Sequence, residues 1–185
     1  ISQYFGANDR NGVNRALHTA MLFALVGGAF IMVLGLVGTE FMLRLMDTPE
    51  DTIAGSALYL RIMFMGMVPN MVYNVGSAIL RAMGDSKRPL YFLIVACLSN
   101  VVLDLVFVLV FKMGIAGVAI ASILAQAISA VMVVMSLSAE SMEYRFRFRQ
   151  MRFEGDILSR TIRIGLPAGF QSIMYSLSNM LIQAS

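Results

Sequence analysis

Four stretches of this chain contain no Lys, Arg, Asp or Glu: between Arg15 and Glu40, between Arg61 and Arg81, between Lys112 and Glu140, and from Arg163 to the end. A fifth, from Pro89 to Phe111, holds a single charge, Asp104. A helix needs about 20 apolar residues to cross roughly 30 Å of hydrocarbon, and each stretch has that length or nearly so. Charged residues are only 14% of the chain against 58% apolar, with mean hydropathy +0.77. A soluble domain carries about a quarter charged residues, and its surface helices need a polar face that these stretches lack. The expected fold class is therefore all-α, a polytopic transmembrane helical bundle.

The charges between the stretches set the layout. A polar lead-in over 1–15 precedes a helix at about 16–38. An acidic connector, with Glu40, Asp47, Glu50 and Asp51 and a turn or helix start at Thr48-Pro49, leads to a second helix at about 58–82. Pro69 lies inside that helix, where it should kink the helix and free a carbonyl for neighbours to satisfy. The loop Arg81–Pro89 precedes a third helix at about 90–111, and Lys112-Met113-Gly114 turns tightly into a fourth at about 115–138. A basic segment over 139–163 follows, and a further helix begins after Gly165-Leu-Pro167. The lead-in, the Arg81–Pro89 loop and 139–163 carry eleven of the 14 Lys and Arg residues, leaving Arg44, Arg61 and Lys112 for the alternate loops. That imbalance predicts that the first set is cytoplasmic. The alternation of Arg145, Arg147, Arg149 and Arg152 with Phe146, Phe148 and Phe153 resembles a nucleic-acid binder, but anionic headgroups beside a cytoplasmic linker account for it without a nucleic-acid partner. Ile1 is no initiator and Ser185 falls inside an apolar run, so a piece of a longer protein is expected.

Polar groups inside the spans carry the functional information. An Asp at the centre of a spanning helix costs about 2.5–3.5 kcal/mol to insert, so it is retained for a reason. Asn100 lies four residues before Asp104, on the same helical face. Asn70 and Asn74 repeat this spacing on the preceding helix, and Ser122 and Gln126 on the following one. Asp104 and Ser122 lie roughly 12–14 Å from the Lys112 turn at 1.5 Å per residue, so they share a depth. A carboxylate with amide and hydroxyl oxygens suits Na⁺, or a carboxyl group that takes up and releases a proton. The alternative is an Asp104 hydrogen-bonded structurally to neighbouring Asn or Ser. Gly117, Ala121, Ala125 and Ser129 recur every four residues and should let helices approach closely. His18, near the end of the first helix, reads as an interfacial residue rather than a proton relay. The 16 Met residues read as lipid-facing or core side chains.

Enzymatic chemistry has little support. The chain has one His and one Cys (Cys97, in a span, so no internal disulfide), and no Gly-rich phosphate-binding loop.

Five pieces in order resemble the multidrug and toxic compound extrusion (MATE) transporters: Ser2-Gln-Tyr-Phe-Gly-Ala7, Arg81-Ala-Met-Gly-Asp85 with Pro89, Asn100-Val-Val-Leu-Asp104, Gly114-Ile-Ala-Gly-Val-Ala-Ile-Ala-Ser122, and Gly165-Leu-Pro-Ala-Gly-Phe-Gln171. The resemblance implies a protein of two six-helix lobes, of which this chain covers the end of helix two to the start of helix seven. Residues 1–138 would be most of the N-terminal lobe, 139–163 the cytoplasmic inter-lobe linker, and 164–185 the start of the C-terminal lobe. It implies a secondary active antiporter of the plasma membrane (a bacterial or archaeal inner membrane), exporting drug-like or cationic, amphiphilic small molecules against inward Na⁺ or H⁺, with no cofactor beyond that ion. The family's cation site maps onto Asn74, Asn100, Asp104 and Ser122, where Ser122 replaces the family's Thr and keeps its hydroxyl. The family also has an Asp on its first helix, which this chain lacks. Two other functions compete. One is a lipid-linked oligosaccharide flippase of the same superfamily, which would want a cationic cavity where these spans offer only the anionic Asp104. The other is a membrane fragment that transports nothing by itself.

Overall fold

The computed structural model describes residues 1–45, 49–139, 146–147 and 151–184. Asp47 and Thr48 of the acidic connector, and Arg145, Phe148 and Arg149 of the basic segment, lie outside the described residues. The described chain is helical, with no strand: α1 (Ser2–Gly6), α2 (Arg10–Leu45), α3 (Glu50–Met65), α4 (Met67–Ala82), α5 (Lys87–Leu105) continued by a π-helical turn over Val106–Val110, α6 (Gly114–Ser138) and α7 (Gly155–Ala184). Three of these, α2, α5 with its π turn, and α6, are long and apolar enough to cross a membrane. The pair α3 and α4 makes a fourth span, bent by 44° at Gly66. The helix α7 does not reach that apolarity over its described residues.

Several helices exceed the charge-free stretches that predict them, the second span starting at Glu50 rather than about 58. The first runs from Arg10 to Leu45 rather than over about 16–38, because the helix continues beyond the apolar slab at both ends. The last begins at Gly155, ahead of Gly165–Pro167, with Asp156 in its first turn and Pro167 accommodated inside it. An acidic side chain there complements the helix dipole.

The bend in the second span falls one turn before the proline expected to cause it. Pro69 is the third residue of α4 and lacks the N–H that would bond the carbonyl of Met65, and its ring crowds that same carbonyl. The break therefore appears at Met65–Gly66, where Gly66 N–H bonds Met63 O at 3.0 Å and Gly66 O accepts Asn70 N–H at 3.1 Å. Gly66 is also a point of close approach to α6: a Cβ there would lie 2.9 Å from Ile123 Cγ1.

The helix α6 is the centre of the packing and contacts α3, α4, α5 and the π turn. Its four-residue repeat of small side chains, Gly117, Ala121, Ala125 and Ser129, is buried throughout, as the spacing implied. Leu17 and Met21 of α2, Val72, Ile79 and Leu80 of α4, and Ala130, Val133 and Leu137 of α6 form the core. Phe146 joins that core at 2% exposure, so this part of the basic segment is packed against the bundle. The outward face is the reverse of a soluble protein's. None of the most apolar window of α5 is buried, and Leu93, Leu98, Val102, Leu105 and Leu109 are all exposed, a surface that lipid tolerates and water does not.

The basic segments gather at one end. Asp85 Oδ1 accepts the N–H groups of Lys87 (3.2 Å) and Arg88 (3.1 Å) at the start of α5. Arg88 reaches Ser136 Oγ at the end of α6 (3.2 Å). Arg15 pairs with Glu154 at 2.8 Å. The opposite end carries the Arg61–Glu40 pair between α3 and α2.

At Gly76 of α4 a Cβ would collide with Val133 Cγ1, a fully buried, stiff β-branched side chain. In the full-length protein, Gly76→Ala should destabilise by about 1–3 kcal/mol. Adding Val133→Ala, which removes the colliding methyl, should recover at least part of it, and thermal unfolding in detergent would reveal the coupling.

Candidate functional site

The local sequence explains how the polar groups come to face inward. On α5 the four-residue spacing puts Asn100 and Asp104 on one face, which packs on α6 while the apolar remainder faces outward. On α6, Ser122 follows Ala121 on the buried small-residue stripe. Asn100 Nδ2 donates to Ser122 Oγ at 3.4 Å, joining the two helices. With its amide nitrogen so engaged, Asn100 keeps its carbonyl oxygen for another partner.

Asp104 lies one helical turn beyond Asn100 and is partly buried. Its Oδ1 is fully buried, yet among the described residues it has no hydrogen-bond partner. The structural alternative, an Asp104 held by neighbouring Asn or Ser, has no bond at this oxygen to support it. Leaving a buried acceptor unsatisfied costs about 1–3 kcal/mol, and more when the group is charged. The π turn starts two residues later. Phe111 N–H bonds Val106 O, a five-residue step, and Met113 N–H bonds Phe107 O. Such turns widen a helix and are frequent at functional sites.

Asn74 behaves differently. It is exposed, and its Nδ2 donates to Asn70 Oδ1 and Asn70 O, both at 2.9 Å, within its own helix. The structure thus joins Asn100 to Ser122, sets Asp104 beside them along α5, and gives Asn74 no hydrogen bond to these three. Gln126 lies one turn below Ser122 at the break in the second span, its Oε1 3.6 Å from where a Cβ on Gly66 would be. Gly66 is the contributor that sequence reading missed. Its signal was available: a glycine three residues before an intramembrane proline, where the lost hydrogen bond falls.

Among the described residues no three His, Cys, Asp or Glu side chains group together. The donors at this site are one carboxylate, amides and a hydroxyl. Hard cations such as Na⁺ take oxygen ligands of this kind, and a proton on Asp104 would equally remove the unpaired charge.

Apolar spans around a partly buried acidic, amide and hydroxyl seam define a multi-pass membrane protein. The chain belongs to the MatE family, whose family model matches residues 1–106. It is 31% identical over 98% of its length to "Probable multidrug resistance protein YoeA" of Bacillus subtilis (strain 168), and 32% identical over its whole length to "Probable multidrug resistance protein YpnP" of the same organism. It spans 41% of the length of each of these curated relatives. It also matches a solved structure described as the inward-facing conformation of a multidrug resistance MATE family transporter of the MOP superfamily. That match has a TM-score of 0.83 at 25% identity, over 90% of this chain and 38% of the other.

If Asp104 is kept for binding rather than for structure, removing its charge should stabilise the protein. Asp104→Asn is expected to raise the melting temperature of the full-length protein at neutral pH without Na⁺. A fall of several degrees would instead mark the carboxylate as a structural anchor.

Proposed function

We propose that the full-length protein is a secondary active antiporter that exports drug-like, cationic or amphiphilic compounds in exchange for inward Na⁺ or H⁺. Residues 1–138 form most of its first lobe, 139–163 link the lobes, and 164–185 open the second. Asn74, Asn100, Asp104 and Ser122 are the coupling site. The observation that carries the reading is the buried, unpartnered Oδ1 of Asp104, one turn from the Asn100–Ser122 pair. The substrate class is supported by what the relatives are called, multidrug resistance and export proteins.

The physical argument runs from that oxygen. An ionised carboxylate without a partner in a low-dielectric interior is costly, and a bound cation or proton removes the cost. Occupancy therefore shifts the relative energy of any two lobe arrangements that differ in access to Asp104, by at most the difference in cation affinity between them. Loading from outside favours the arrangement that releases drug outward, and release to the cytoplasm favours reloading. Asn100 and Ser122 supply neutral oxygens for a metal cation, and Asn74 joins them in this scheme when α4 shifts relative to α5. One elementary charge moving through about 100 mV supplies about 2.3 kcal/mol, enough for a gradient of several tens-fold in a neutral substrate.

Asp104→Asn in the full-length protein should reduce cation-driven efflux of a cationic dye at least tenfold at equal expression, and Asp104→Glu should keep part of it. Dye efflux at the wild-type rate in Asp104→Asn would sink the coupling role.

A further inference from the structure

The basic end holds a second polar arrangement that cation coupling does not use. His18, on α2, is 3% exposed and stacks on Phe146, with ring centroids 5.4 Å apart at 27°. Its Nδ1 lies 2.8 Å from Asn14 O, one turn back on α2. Its Nε2 lies 3.0 Å from the backbone N–H of Arg147. A carbonyl can only accept and an amide N–H can only donate, so these contacts fix the ring as the neutral tautomer, Nδ1–H donating and Nε2 accepting. The rest of the described segment is tied to the same stretch of helix. Thr19 Oγ1 donates to Arg152 O (3.1 Å) and accepts Glu154 N–H (3.4 Å), Arg15 pairs with Glu154, and Phe146 N–H bonds Leu137 O at the end of α6 (2.8 Å).

We propose that His18 is a proton-operated clasp: neutral, it holds the segment around Phe146–Arg147 on the end of α2, and protonated, it lets that segment go. A proton taken up from solvent at Nε2 forms an N–H bond on the one atom that Arg147 N–H needs as acceptor, leaving two donors facing each other. The cavity of about 280 Å³ beside the ring is lined by Asn11, Asn14, Arg15, Arg152 and Glu154 together with His18. Of the charged groups facing it, Arg15 comes from α2, and Arg152 and Glu154 come from the segment. Among these described residues two are cationic, and the one carboxylate is paired with Arg15. The open cavity beside the ring gives solvent a route to it. The clasp does not depend on the export reading. If the protein exports, the clasp makes the segment between the lobes responsive to acid on the basic side of the membrane.

The test is hydrogen exchange by mass spectrometry on the full-length protein, with exchange times corrected for the intrinsic pH dependence of amide chemistry. On going from about pH 7.5 to about pH 5.5, the range in which histidines change charge, wild-type peptides carrying the Phe146 and Arg147 amides should exchange about tenfold faster. His18→Gln, whose amide can still donate to Asn14 O and accept Arg147 N–H, should stay protected at both values. His18→Arg, permanently charged and without an acceptor, should exchange fast at both. If His18→Arg fails to fold, the comparison of wild type with His18→Gln still decides. Unchanged wild-type protection across that range overturns the clasp. So does an equal loss in His18→Gln, which would assign the titration to Glu154 or another group. Cation-driven dye efflux is read separately, so a failure of the clasp leaves the coupling reading of Asp104 standing.

Discussion

Close approach along one face of α6 is the constraint on which the rest of this bundle depends. In lipid there is no hydrophobic force to draw helices together, because the acyl chains are as apolar as the side chains, so packing and a few polar contacts must hold the helices in place. The buried stripe of Gly117, Ala121, Ala125 and Ser129 lets neighbouring backbones come near. Gly76 opens α4 to Val133, and Gly66 opens the break in the second span to Ile123. Larger residues at these points would push α3, α4 and α5 outward. The Asn100–Ser122 contact is already 3.4 Å long and would not survive that separation.

Two departures from regular α-helix lie near the polar seam. The break at Gly66 comes from a proline that cannot donate, and the π turn after Asp104 comes from a five-residue hydrogen-bond step. In a membrane a non-helical backbone is tolerated only where protein or a polar cavity covers it. One irregularity lies beside Gln126, and the other begins two residues after Asp104. The outward, lipid-facing surface of α5 up to Leu105 is by contrast regular helix.

The spans were legible because charge in hydrocarbon is costly, so charge-free length marks the slab. The same reasoning undershoots α2, since a helix does not end where the membrane does. Asn100 and Ser122 were legible because α5 and α6 are straight enough up to those residues for four-residue spacing to define a face. That Asn74 bonds Asn70 within its own helix was not legible, because spacing alone does not say which neighbour a face meets. Phe146 escaped for another reason. In sequence it alternates with arginines and reads as surface, whereas in the fold it joins the core of α2, α4 and α6 and stacks on His18, far away in the chain. His18 read as interfacial because depth can be counted from the sequence, whereas an amide arriving from 129 residues further on cannot.

The two titratable groups of interest are built on opposite principles. The buried oxygen of Asp104 has nothing to bond to, so the ionised state is the unfinished one, and a cation or proton completes it. His18 has both ring nitrogens engaged when neutral, so its unprotonated state is the finished one, and a proton undoes it. Under the two proposals, uptake of positive charge consolidates the middle of the bundle and loosens its basic end. A bundle arranged this way distinguishes where a proton arrives. Within the membrane it fills a vacancy in the bonding, whereas at the basic end it displaces a bond already made. In the proposed antiporter, whose cation must be welcome at the coupling site yet leave on the far side, that opposition of sign is physically useful, because it makes the middle of the bundle and its basic end respond differently to the same ion.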